Sequence, residues 1–183
     1  MPDQAAGCSD REQSAFGSPG RVPGVARPAM SLRTYLLAVG LWGESAHRAL
    51  RHLAEDQDEV EETCVVAVRS GLLPDVGVLA PVVWLLLPLM PAPLAAEALC
   101  SAERKPAGDR GPIPRVETPA PTLRTYLLGS ALWGAGAERA LTHVGVSIEA
   151  ELDEIGYVAR GSGLLTREGW PTAAGWAALA VLP

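Results

Sequence analysis

The polar side chains whose spacing could support chemistry lie on one short predicted helix and on its counterpart later in the chain. Arg48 and His52 are four residues apart, so they share a helical face, and Arg139 and His143 have the same spacing. A guanidinium beside an imidazole could bind an anion. The same pattern is typical of solvated cations near a helix C-terminus, where the helix dipole favours them. We favour the second interpretation and keep the four residues as candidate contacts to a protein partner.

Sequence motifs for nucleotide, metal or nucleophilic chemistry do not occur in the chain. No P-loop, GxGxxG, HExxH or GxSxG motif is present. Ser70 and Ser162 precede a glycine, but the surrounding "SGLL" is typical of a helix end rather than of a nucleophile turn. We therefore expect a protein that is not an enzyme and that binds no cofactor and no metal.

Much of the chain is written twice. The segment "SLRTYLLAVGLWGESAHRALRHL" (31–53) aligns with "TLRTYLLGSALWGAGAERALTHV" (122–144), with 14 of 23 positions identical. After one inserted residue, "EVEETCVVAVRSGLL" (59–73) aligns with "ELDEIGYVARGSGLL" (151–165), with eight of 15 identical. This pattern indicates a tandem duplication of a unit of about 60 residues.

The duplicated unit has the pattern of a group of helices. Ser31 and Thr122 are good N-caps for its first helix. Gly43 and Gly134 interrupt the apolar stripe that follows, which predicts two helices or one kinked helix. Acidic runs open the next helix, where carboxylates suit the positive end of the dipole. "SGLL" closes that helix in both copies, with its glycine in the left-handed position after the C-cap.

The tryptophans divide into two groups by their place in the unit. Trp42 and Trp133 lie in the matched "LWG" segments of the amphipathic stripe, and we predict that both are buried. Trp84 and Trp176 align with each other in the last segment of each copy, and Trp170 lies close by. These last segments fit either a core helix or a partner-binding surface, so Trp84 and Trp176 are candidate partner contacts.

Cysteine and histidine do not form a duplicated site. His47 aligns with Glu138, and Cys64 aligns with Gly156, so neither is a shared metal ligand or nucleophile. The three cysteines are widely spaced without a CxxC pattern, which fits neither a disulfide framework nor a zinc site. This usage suits a reducing compartment, and we expect a cytoplasmic protein.

The second copy resembles a winged helix-turn-helix domain over residues 137–179. A helix leads through "VGVS" to a second helix, and "GLLTREG" with "PTAAG" resembles the end of a recognition helix and a wing. The resemblance implies DNA contacts through Arg160 and Arg167. The corresponding recognition helix departs from the pattern because it is acidic, with Glu149, Glu151, Asp153 and Glu154. A winged helix with this acidic helix is better suited to protein contact than to DNA binding, because its carboxylates repel phosphates.

Composition predicts four parts along the chain. They are a disordered N-terminal segment (1–30), a first helical unit (31–90), a proline-rich linker (91–121) and a second helical unit (122–183). Residues 76–96 lack any charge and are long enough for a membrane span, but their prolines should stop a helix near Leu87. A core or partner-facing helix is the favoured interpretation, and membrane association is the alternative.

Charge narrows the class of partner. The net charge is −6, and both helical units carry more acidic than basic residues. A nucleic-acid-binding protein needs a basic face, which this sequence does not offer. We therefore predict a mostly α-helical protein with a regulatory or adaptor role, acting through a protein partner or through homo-oligomers. A divergent winged-helix transcription regulator that binds DNA is the alternative, and a membrane-associated protein is the third hypothesis.

Overall fold

The chain folds into helices joined by short turns. The computed structural model describes residues 29–53, 56–75, 77–91, 113 and 115–183. Of these residues 65% are helical, and their only extended pairings are two isolated β-bridges. The mostly helical class predicted from the sequence is therefore confirmed. Residues 1–28 and 92–112 lie outside the described residues, and with them most of the predicted disordered segment and linker.

The described residues form eight α-helices. In chain order they are α1 (Leu32–Trp42), α2 (Ala46–Leu53), α3 (Gln57–Arg69), α4 (Val83–Leu86), α5 (Leu123–Trp133), α6 (Ala137–His143), α7 (Glu149–Gly161) and α8 (Ala173–Val181). Single 3-10 turns follow α1, α4 and α5, at Gly43–Ser45, Leu87–Leu89 and Gly134–Gly136. We call residues 29–91 the first half of the chain and residues 113–183 the second half.

Helices α1 and α5 begin at the side-chain caps that the sequence predicted. The Ser31 hydroxyl accepts a hydrogen bond of 3.1 Å from the backbone amide of Thr34. The Thr122 hydroxyl accepts one of the same length from the amide of Thr125. Both threonine hydroxyls then donate at 2.7 Å to the carbonyl five residues earlier. The bonds to Ser31 and Thr122 satisfy amides that a helix start leaves without an intrahelical partner.

Each "LWG" segment divides a helical stretch in two. α1 stops at Trp42, and the amide of Gly43 donates to the carbonyl of Val39 before the chain turns into α2. α5 stops at Trp133 in the same way before α6. Of the two possibilities left open by the sequence, two separate helices are therefore correct.

The "SGLL" segments end α3 and α7 with the predicted glycine cap. Gly71 has φ of 72° and Gly163 has φ of 70°, which is the left-handed region that glycine adopts without a steric penalty. The amides of Leu72 and Leu164 reach back to helix carbonyls at 3.2 and 3.0 Å. This is the Schellman arrangement. Ser70 and Ser162 therefore lie at helix ends, as the sequence indicated.

After each "SGLL" segment the described residues form one isolated β-bridge and no hairpin. Asp75 pairs with Val78 in the first half, and Leu165 pairs with Pro171 in the second. The helix that follows in the first half, α4, has only four residues and ends at Leu86, close to the predicted proline stop. Within the described residues, no helix combines the length and apolar character that crossing a membrane requires.

The core lies where α1 and α5 pack against each other. α2 and α3 pack on α1, α6 and α7 pack on α5, and α8 contacts both α5 and α4. Leu37 and Leu128 are almost completely buried in the middle of this arrangement. The rings of Trp42 and Trp133 meet edge to face with centroids 6.3 Å apart. Both tryptophans are buried, which confirms the prediction made for them.

Candidate partner-binding site

Two arginines connect the halves of the chain, and the first is Arg33 at the start of α1. Its guanidinium carbon lies 5.0 Å from the ring centre of Trp176, which belongs to α8 in the second half. Its Nη1 donates at 2.7 Å to the carbonyl of Met90, after the turn that follows α4. Arg33 is thus hydrogen-bonded to the end of its own half. Its positive charge faces the indole of Trp176 in the other half, and a cation is attracted to such a ring face.

The second arginine, Arg124 at the start of α5, makes the reciprocal contact. Its guanidinium carbon lies 4.6 Å from the ring centre of Trp84 on α4. Its Nη1 donates to the carbonyls of Leu179 and Leu182 at the end of α8. Burial lowers the pKa of both Arg33 and Arg124. An arginine pKa starts so far above neutrality that both side chains stay charged.

The two tryptophans predicted as partner contacts therefore have partners within the chain. Trp176 is buried in the core beside Arg33. Trp84 is half-buried, and its ring lies so close to α1 that a Cβ on Gly40 would be 3.1 Å from it. A role for Trp84 and Trp176 in binding another protein stays a prediction.

The predicted arginine–histidine pairs lie on α2 and α6, with the arginine in the first turn and the histidine in the last. Arg48 is exposed, and its Nη1 donates at 2.7 Å to the carbonyl of Arg115. Part of its guanidinium is therefore already bound within the chain. Ile113, two residues earlier, is buried in the core, so this end of the predicted linker packs on the fold. Arg139 is exposed as well. The two histidines, His52 and His143, are half-buried and come close enough to interact electrostatically.

Acidification is expected to destabilise the chain through His143. Burial lowers the pKa of His143 in the folded state, and the positive charge of His52 lowers it further. The unfolded chain, with an ordinary histidine pKa of about 6.5, therefore binds more protons as the pH falls through that value. The free energy of unfolding should consequently decrease between about pH 7.5 and 5.5. Urea denaturation followed by circular dichroism across that range measures the slope.

Two substitutions test whether the histidine pair causes this pH dependence of the free energy of unfolding. His143→Gln should flatten it, because the titrating group is removed, and His52→Gln should flatten it in part. If His143→Gln had the same pH dependence as the wild type, the loss of stability would come from other groups.

Arg160, a predicted DNA contact, takes part in a polar cluster between α5, α6 and α7. Its guanidinium lies 3.8 Å from the carboxylate of Asp153, and its positive charge opposes the rise that burial causes in the pKa of Tyr126. Burial raises the pKa of the nearby Glu138, and the charge of Asp153 adds to that effect. Sequence reasoning missed Tyr126 and Glu138. The signal in the sequence was the glycine at position 156. In the structure a Cβ at Gly156 would lie 2.3 Å from the Tyr126 hydroxyl, so this glycine makes room for the tyrosine.

The corresponding place in the first half has different chemistry. Burial raises the pKa of Tyr35, and the neighbouring thiol of Cys64 adds to that rise. The ring of His47 meets the Tyr35 ring edge to face, with centroids 6.4 Å apart. Such a tyrosine stays protonated at neutral pH and cannot act as a base. The described residues contain no group of three or more His, Cys, Asp or Glu side chains that could hold a metal ion.

The outer surfaces of α3 and α7 combine carboxylates with exposed apolar side chains. Val65 and Val66 are exposed on α3, and Tyr157 and Val158 are exposed on α7. Arg167, the other predicted DNA contact, is exposed in the loop after α7. The exposed carboxylates are Asp58, Glu59, Glu61 and Glu62 on α3, and Glu149, Glu151, Asp153 and Glu154 on α7.

Comparison with known proteins adds no relative from which a function could be transferred. The chain matches no protein-family model, no curated protein sequence and no solved structure.

Proposed function

We propose that this chain is a non-enzymatic regulatory or adaptor protein that acts through protein–protein contacts of a duplicated helical unit. The observation that carries the proposal is the character of α3 and α7. Both helices bury one side in the core and present carboxylates and uncharged apolar groups on the other. Exposed apolar side chains grouped on one face are typical of protein-binding surfaces.

The duplication is supported by features shared by the two halves. Helices α1 and α5 have equal lengths and matching caps at both ends. Helices α3 and α7 also have equal lengths and share a serine C-cap, but their N-caps differ. Arg33 and Arg124 make reciprocal contacts with the tryptophan of the other half. Two related units that exchange such contacts resemble the subunits of a symmetric dimer joined into one chain.

The unit itself is interpreted as a degenerate winged helix. Three helices are followed by a short loop with one β-bridge and then by a final helix, in both halves. In that interpretation α3 and α7 occupy the recognition-helix position. Their carboxylates make a phosphate-lined groove an unfavourable partner.

DNA binding is the second candidate, because both predicted DNA contacts, Arg160 and Arg167, reach solvent. The side chain of Arg160 is 46% exposed, and Arg167 is exposed in the loop that corresponds to a wing. Arg160 is, however, close to Asp153, which lowers its value as a phosphate contact.

The two candidates differ in their expected affinity for DNA. We expect the chain to bind duplex DNA only non-specifically, with a Kd on the order of 10⁻⁴ M or weaker at physiological salt. Fluorescence anisotropy with mixed-sequence and genomic duplexes across a salt series measures this. In the native host, cross-linking followed by mass spectrometry should instead identify a protein joined to this chain.

The contrary result is equally specific. Sub-micromolar DNA binding that weakens with salt and is lost in both Arg160→Ala and Arg167→Ala would replace the adaptor by a winged-helix regulator. Arg69→Ala, at an exposed position on α3 of the first half, is the matched control for a general loss of positive charge.

A further inference from the structure

We propose that the outer faces of α3 and α7 each bind a basic amphipathic helix of a protein partner. The proposal rests on the proposed function and gives it a surface and a class of ligand. The two faces are matched in sequence, so the chain offers the same kind of site twice.

Apolar side chains at the centre of each face are exposed although their helices are firmly attached to the core. Val65 and Val66 are 46% and 52% exposed on α3, and Tyr157 and Val158 are 75% and 51% exposed on α7. On the opposite side of α3, Val60 is fully buried. The exposed groups are therefore not core residues that failed to pack. They form an apolar strip on a rigid support.

Carboxylates border each apolar strip at matched positions. Glu62 precedes Val65 and Val66 by three and four residues, and Glu154 has the same relation to Tyr157 and Val158. Residues with these separations are neighbours on a helix surface. Both glutamates are exposed.

Two ion pairs between described residues at these faces involve other carboxylates. They join Arg51 to Glu61 at 3.9 Å and Arg160 to Asp153 at 3.8 Å. Glu62 and Glu154 therefore place a negative charge beside the N-terminal end of each apolar strip, which is complementary to lysine and arginine.

Charge and shape together select the occupant. An apolar strip favours leucine-like side chains that recur every three or four residues, and the glutamate beside the strip favours cations next to them. A nucleic acid would place phosphates against these glutamates. A second copy of this chain would bring a net charge of −6 to an acidic face. Its basic helix α2 already buries Ala49 and Leu50 in its own core.

The test uses a synthetic peptide of lysine and leucine with helical amphipathic spacing, titrated into the full chain by calorimetry. We expect saturable binding that weakens as salt rises. Hydrogen exchange should slow in α3 and α7 while α1 and α5 stay unchanged. A peptide of the same composition with alternating leucines, and a glutamate–leucine peptide of helical spacing, should bind at least tenfold more weakly.

Variants of exposed residues separate the two parts of the site without disturbing the core. Val65→Ser with Tyr157→Ser should weaken peptide binding about tenfold or more, because the two changes remove apolar contact area and tyrosine is enriched in hot spots. Glu62→Gln with Glu154→Gln should weaken it mainly at low salt and reduce the salt dependence. Val181→Ser is the control, because Val181 is 81% exposed outside both faces.

Two results of the peptide titration would overturn the docking proposal. One is the absence of saturable binding at low salt, and the other is binding that these four substitutions leave unchanged. If a native partner is cross-linked equally well to wild type and to the four-substitution variant, the adaptor function stands and the docking faces are wrong. Sub-micromolar DNA binding would contradict the adaptor function itself.

Discussion

Replacing Trp42 or Trp133 by alanine is expected to destabilise the folded chain by about 3–5 kcal/mol in each case. The two rings are buried where α1 packs against α5, and they meet edge to face at 6.3 Å. Each substitution therefore leaves a large cavity at the contact between the halves and removes a favourable aromatic pair. Urea denaturation followed by tryptophan fluorescence and circular dichroism gives the free energy of unfolding.

The double variant tests whether the two rings act together. The coupling energy of the pair should be about 0.5–1.5 kcal/mol, so the double substitution should cost less than the sum of the single ones by that amount. Tyr157→Ala is the matched aromatic control, because Tyr157 is 75% exposed and should change stability by less than about 0.5 kcal/mol. Single tryptophan variants that unfold like the wild type would show that α1 and α5 do not depend on this contact.

Local features of the fold could be predicted from the sequence because they depend on residues within one or two helical turns. The caps at Ser31 and Thr122 need only a hydroxyl and a nearby amide. The helix end at Gly71 needs only a glycine in the left-handed region followed by a leucine. The burial of Trp42 followed from the helical spacing of the apolar residues around it.

Contacts between the halves could not be predicted in the same way. The position of Arg33 over Trp176 depends on how α1 and α5 pack, and the aligned sequences contain no information about that geometry. Tryptophan in the last segment was therefore open to interpretation as a partner contact. The apolar side chain of Val65 would ordinarily be assigned to the core, yet it is exposed. Its exposure depends on which side of α3 faces the rest of the fold.

Gly169→Ala is expected to destabilise the second half by about 2–5 kcal/mol, because two costs add at this position. Gly169 has φ of 81°, and a residue with a side chain in that region loses about 1–2 kcal/mol. A Cβ there would also lie 2.7 Å from the backbone amide nitrogen of Ala135, which belongs to the turn between α5 and α6. Relieving that overlap requires the backbone to move, at a further cost of about 1–3 kcal/mol. Chemical denaturation of the purified variant gives the total.

Gly163→Ala separates the two costs, because the two glycines share a left-handed conformation and differ in their surroundings. Gly163 has φ of 70°, but a Cβ there would meet no atom within 4 Å. Its substitution should therefore cost only the conformational part, about 1–2 kcal/mol. The excess cost of Gly169→Ala then measures how tightly the loop after α7 is held against the turn at Ala135. Equal losses in the two variants would mean that this loop moves away freely, and the fold would then not depend on the close approach. Gly77→Ala extends the comparison to the first half, where a Cβ would lie 2.3 Å from the backbone nitrogen of Glu44.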